Sequence, residues 1–94
     1  MEPDLHYFGS DAFIWQQYEP SVKAELFSTA LTNRAGTSLI DPIVLPDEVL
    51  ASALGEGRVV GVFVTNANHA RAAAEFSAKC GVPIFAHPAA RGEL

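Results

Sequence analysis

Cysteine is almost missing from this sequence. Cys80 is the only one in 94 residues, which excludes an intrachain disulfide and any Cys-x-x-Cys redox or metal motif. Charge is scarce too: Asp, Glu, Lys and Arg make up 18% of the chain, against roughly 25% in an average soluble domain. Positive charge is the scarcer sign, with six Lys and Arg against eleven Asp and Glu. No basic stripe exists, so binding nucleic acid by neutralising phosphates is not expected. No apolar run approaches the ~18 residues needed to cross a bilayer. The start, Met-Glu-Pro-Asp, lacks the basic and apolar stretches of a signal peptide. These absences lead us to expect a cytoplasmic protein with neither nucleic-acid nor membrane partners.

Hydrophobic residues, by contrast, make up 49% of the chain. So many apolar residues with so few charges fit three arrangements: a dense core, an apolar face covered by a partner, or a chain lacking the segment that should cover it. Ninety-four residues make at most one domain, and a domain that small hides a modest share of its surface. We therefore expect a single domain over residues 1–94 with one face left to be covered.

Periodicity places the elements. Residues 13–18, Phe-Ile-Trp-Gln-Gln-Tyr, read as an aromatic-rich strand closed by Glu19-Pro20. Residues 24–32 alternate Leu26, Ser28, Ala30 and Thr32 against Glu25, Phe27, Thr29 and Leu31, a second strand. Asn33-Arg34-Ala35-Gly36 is a hairpin turn, residues 37–41 are the returning strand, and Pro42 stops it. Pro46 suits the first position of a helix reaching about Leu54, with Asp47 and Glu48 at its positive end and Gly55 and Gly57 closing it. Residues 58–64 show no polar alternation, as expected of a strand buried on both faces. A second helix is predicted over 68–80, with Ala73, Phe76, Ser77 and Cys80 inward and Arg71, Glu75 and Lys79 outward. Gly81 caps it, Pro83 forbids its continuation, and residues 82–86 form a short last strand. The fold class is α/β: an antiparallel meander followed by βαβαβ, a mixed sheet with helices on one face.

The richest segment is 60–76, where an apolar strand stops at Thr65, a polar knot follows (Asn66, Asn68, His69, Arg71), and an alanine-rich helix begins. Polar groups and free N–H groups at the carboxyl end of a strand are where open α/β sheets commonly bind ligands. Together with Leu39-Ile40-Asp41-Pro42 and Val82-Pro83-Ile84-Phe85-Ala86-His87, this pattern resembles the first half of the metallo-β-lactamase fold over residues 15–87. That resemblance implies one half of an αββα sandwich and, by superfamily, a metal-dependent hydrolase. The family signature is a threonine followed by His-x-His-x-Asp-His, which binds one or two zinc ions. Thr65 matches, and Asp41 matches the acid kept beside the metal loop. Asn66, Asn68, Ala70 and Arg71 stand where the first histidine, second histidine, aspartate and last histidine belong. Amides are poor zinc ligands, alanine is none, and arginine repels a cation. No metal ligand is assigned, and zinc is not supported by the motif as it stands.

Each residue of the segment also has a plainer role open to it. Asn66 and Asn68 are good helix N-caps, and Arg71 could pair with Glu75. His69 could be hydrogen-bonded at the helix start, and Asp41 before Pro42 could simply form a turn. Alternatively Thr65, Asn66, Asn68, His69, Arg71 and the first helical N–H groups form a pocket for a small anionic ligand. If the protein is a hydrolase, Asp41 and His69 are the catalytic candidates, as a hydrogen-bonded pair activating water. Cys80 is expected to be buried and inert, His6 and His87 are isolated, and Ser28, Ser38 and Ser77 lack nucleophile-elbow spacing. Two functions follow. One is a metallo-β-lactamase-like protein without the usual dinuclear site, non-catalytic or with an altered or incomplete site. The other is a small non-enzymatic module that homodimerises through its uncovered sheet face. The expected partner is accordingly a second copy or a missing C-terminal half.

Overall fold

A computed structural model of the chain describes residues 4–21, 23–65, 71–86 and 88. Six strands form one sheet in strictly sequential order: β1 (Asp4–Phe8), β2 (Ala12–Glu19), β3 (Ala24–Asn33), β4 (Gly36–Ile40), β5 (Val59–Val64) and β6 (Ile84–Ala86). The first four pair antiparallel as a meander; β4, β5 and β6 pair parallel. Helix α1 (Asp47–Leu54) connects β4 to β5, and α2 (Ala73–Cys80) connects β5 to β6. This is the mixed sheet expected from the order of meander, helix, strand, helix and strand, because parallel neighbours need a crossover and antiparallel ones need only a turn.

Both helices cover the same side. Leu50 of α1 and Ala73 and Phe76 of α2 share one buried cluster with Phe13, Trp15, Ala30, Leu39, Val62 and Val64 from four strands. Trp15 is fully buried, with its ring edge-on to Phe76 at 6.5 Å and tilted against Phe13 at 5.8 Å. Side chains of this size contribute roughly 1.5–3 kcal/mol each by leaving water, so the aromatic centre dominates the core. Along β3 the alternation is clear: Ser28 and Ala30 are buried while Phe27 and Leu31 are exposed.

Among the described residues, the opposite side of the sheet carries no helix. One register row crosses all six strands there: His6, Ile14, Thr29, Ile40, Phe63 and Phe85. Phe63 and Phe85 stack with ring centroids 5.0 Å apart, and Phe27, Leu31 and Phe85 are about half exposed. No residue of that row is Asp, Glu, Lys or Arg. The uncovered face expected from the low charge count is present.

Two glycines mark where the backbone demands one. Gly36 has φ +138°, and a Cβ there would lie 2.5 Å from Val60 Cγ1 and 2.7 Å from the Arg58 carbonyl oxygen. It lets the hairpin between β3 and β4 pass close to β5. Gly81 closes α2 in the left-handed conformation, its N–H donating to the Ser77 carbonyl as a C-cap requires.

Several boundaries differ from those predicted. Strand β1 was not anticipated, because the exposed run Asp-Leu-His-Tyr-Phe takes strand form only through pairing with β2. Pro46 stands one place before α1 as its N-cap, and β6 is shorter than the predicted 82–86. The described part of the second helix starts at Ala73, with Ala72 as N-cap and no side-chain cap bond. The predicted caps Asn66 and Asn68 cannot be placed against this start. Both, with His69, lie outside the described residues. No helix among the described residues is long and apolar enough to cross a membrane.

Candidate functional site

The carboxyl ends of β4 and β5 meet at the segment Asp41-Pro42-Ile43, which is buried throughout. Asp41 has φ +50°, a left-handed conformation that aspartate tolerates better than most residues. That kink turns the chain out of β4 after Asp41, and Pro42, which has no N–H to donate, ends the pairing. Every backbone polar group of the three residues finds a partner, as burial demands. The Asp41 N–H donates to the Phe63 carbonyl at 2.8 Å, continuing the ladder to β5. The Asp41 carbonyl accepts from Ser28 Oγ at 2.8 Å and from Arg71 Nη1 at 2.7 Å. The Pro42 carbonyl accepts the Ala72 N–H at 3.0 Å, tying down the start of α2. The Ile43 N–H donates to Ser28 Oγ at 2.8 Å, and its carbonyl accepts the Trp15 indole N–H at 3.2 Å. Strands β2, β3 and β5 and helix α2 thus converge on one short segment.

Two predicted site residues are joined here. The Asp41 carboxylate accepts the Thr65 N–H on Oδ1 at 2.8 Å and the Thr65 hydroxyl on Oδ2 at 2.7 Å. Both bonds are charge-assisted, and together they hold the end of β5 against the end of β4. Asp41 is 9% exposed, so its carboxylate is a buried structural clamp.

Arg71 is the third. Its pairing with Glu75 is overturned: the guanidinium turns away from the helix face and donates through Nη1 to the Phe27 carbonyl at 2.6 Å and the Asp41 carbonyl at 2.7 Å. The reason is local. Arg71 has φ +42° and precedes the helix, so the i,i+4 geometry that would bring it to Glu75 does not exist. Two fixed carbonyls hold Nη1, while Nε and Nη2 have no hydrogen-bond partner among the described residues. Burial pushes the guanidinium pKa down from its ordinary value, and the nearby Asp41 charge opposes that shift. Lys79, also placed outward on α2, pairs with Asp47 of α1 at 2.6 Å across an exposed surface.

The pattern missed Ser28. Its hydroxyl is fully buried and bridges Asp41 to Ile43. The signal was present, because a serine at a core-facing position of an alternating strand must find a partner.

The described residues of the site do not by themselves suit zinc. The acid of the site has both oxygens engaged by Thr65, and the neighbouring position holds a fixed cation. Among the described residues no group of three or more His, Cys, Asp or Glu could hold a metal ion. His69, the proposed partner of Asp41, lies outside them.

No protein-family model matches the sequence, and no curated protein matches it. The fold does have a match among solved structures. The crystal structure of DIM-1 metallo-beta-lactamase superposes with a TM-score of 0.74 at 12% identity. The match covers 100% of this chain and 46% of that one, so the chain spans about half of the enzyme it resembles. The protein has the fold of one half of a metallo-β-lactamase.

Proposed function

We propose that this chain is a metallo-β-lactamase-like half domain that works without the usual dinuclear zinc site and binds a small carboxylate-bearing ligand through Arg71. One observation carries this: an arginine, held by backbone carbonyls of Phe27 in β3 and of Asp41, brings its own positive charge to the end of β4. Against the family signature, that arginine occupies the place of the last zinc-binding histidine. A fixed guanidinium there repels a metal ion and attracts an anion. Of the two forms the function could take, non-catalytic binding has the better support. Asp41 holds the end of β5 through bonds from Thr65 to both of its oxygens, and the hydrolytic alternative rests on Asp41 with His69. Metal analysis of protein purified without chelator tests the proposal. We expect zinc far below one per chain; stoichiometric zinc that is lost in His69→Ala would overturn it.

The uncovered sheet face favours a second reading, homodimerisation. The row from Ile14 to Phe85 offers a second copy an uncharged surface that is apolar except for Thr29. Two copies would also span about the length of the solved relative, of which one covers 46%. Sedimentation should give twice the 10.0 kDa chain mass, and Phe63→Glu should halve it. A monodisperse wild-type monomer would exclude this reading.

A further inference from the structure

Arg71 is not alone. It lines a cleft of about 430 Å³ on the helix-bearing side of the sheet, at the end of β2 and β3 away from the meander's first hairpin. That volume falls within the range of small-molecule sites, roughly 300–1,000 Å³. The cleft has three kinds of wall. Leu26, Ile43 and Val44 supply apolar surface, Arg71 supplies a cation, and Glu19 and Glu75 supply two carboxylates. Among the described residues the cation is anchored only through Nη1, which leaves the Nε–Nη2 edge, whose two parallel N–H groups match a carboxylate. Glu75 is exposed and makes no hydrogen bond or ion pair among the described residues. Glu19 accepts the Ser21 N–H at 3.1 Å, which holds its carboxyl ionised below the usual range.

The guanidinium attracts an anionic group, but a ligand that is only an anion would also meet the two carboxylates that line the same cleft. A simple cation would meet the guanidinium. A molecule carrying both charges, with an apolar group between or beside them, satisfies all three walls at once. We infer that the cleft binds a zwitterion with an apolar side chain, an amino acid or short peptide, with its carboxylate on Arg71 and its ammonium towards Glu75 and Glu19. This rests on the assignment of Arg71 as a ligand-binding cation and adds to it the class of ligand.

Calorimetric titration with the dipeptide leucyl-leucine tests the inference on the whole chain. Saturable binding is expected, weakened at least about tenfold by N-acetylation or C-terminal amidation of the peptide, since each removes one charge-assisted contact. These changes are made on the ligand, so they read the site even if Arg71→Gln fails to fold. Glu75→Gln, at an exposed position, should weaken leucyl-leucine but leave the N-acetyl peptide unchanged. Absence of saturable binding by leucyl-leucine would overturn the inference. So would an N-acetyl peptide that binds as tightly as the free one. Zinc content of the same preparation separates the two levels. Stoichiometric zinc with charge-dependent peptide binding would refute only the metal-free function, and no zinc with no peptide binding would refute only the cleft.

Discussion

Replacing Ser28 by alanine removes one oxygen atom and should destabilise the whole sheet. Ser28 Oγ is the acceptor for the buried Ile43 N–H and one of two donors to the Asp41 carbonyl. In Ser28→Ala the carbonyl keeps Arg71, but the buried Ile43 N–H loses its acceptor. A buried donor left unsatisfied costs about 1–3 kcal/mol, and we expect a net loss of about 2 kcal/mol. At ~0.05–0.15 kcal/mol per residue the chain has a total stability of roughly 5–14 kcal/mol, so the loss is a large fraction. In a domain of this size it should lower Tm by about 8–16 °C. Circular-dichroism melts and urea titrations measure it, with Ser52→Ala on the exposed face of α1 as a control expected within about 0.5 kcal/mol. Combined with Arg71→Gln, the loss should exceed the sum of the single variants, because the Asp41 carbonyl then loses both donors. A Ser28→Ala protein within 0.5 kcal/mol of wild type, by this rough scale, would refute the bridging role.

Other expectations follow from the same geometry. Asp41→Asn keeps the left-handed backbone and an acceptor for the Thr65 N–H, so it should cost about 1 kcal/mol, whereas Asp41→Ala loses both bonds and adds backbone strain, for about 2–4 kcal/mol by chemical denaturation. Gly36→Ala should prevent folding or cost more than about 3 kcal/mol, since its Cβ would collide with Val60 and the Arg58 carbonyl. Gly81→Ala, with open space around it, should cost only the left-handed penalty of about 1–2 kcal/mol. Burial chiefly raises the Cys80 thiol pKa, so alkylation at pH 8 should run slower than for a free thiol and speed up on unfolding. The sign for stability follows: the contribution is full below the unfolded thiol pKa and is lost as pH rises through the raised folded value. Lys79→Ala should cost under about 1 kcal/mol, less at high salt, because its pair with Asp47 is exposed.

The mixed sheet and the uncovered face were legible because they depend on local pattern. Alternation in residues 24–32 placed Ser28 and Ala30 inward, the unbroken run 58–64 marked a buried strand, and Gly81 marked a helix end. Strand β1 was not legible, because five mostly exposed residues become a strand only by pairing. In the candidate site, the meeting of Asp41 and Thr65 had a trace in sequence: each ends a strand, and the strands are neighbours in a parallel sheet.

Arg71 shows where local pattern stops. By sequence its nearest partner is Glu75, one helical turn away; in the fold its partners are carbonyls of Phe27 and Asp41, 44 and 30 residues distant. Sequence by itself determined the order of β2 to β6 with the two helices between them, and which residue types stand at the positions of the family's signature, because those depend on residue type and spacing. Only the tertiary structure decided that Arg71 begins before the helix and turns inward, that Ser28 satisfies the Asp41–Ile43 backbone, and that Glu19 and Glu75 share a cleft with a guanidinium. Each of those depends on backbone groups from distant strands, and a backbone carbonyl is the same at every position of a sequence until the fold aims it.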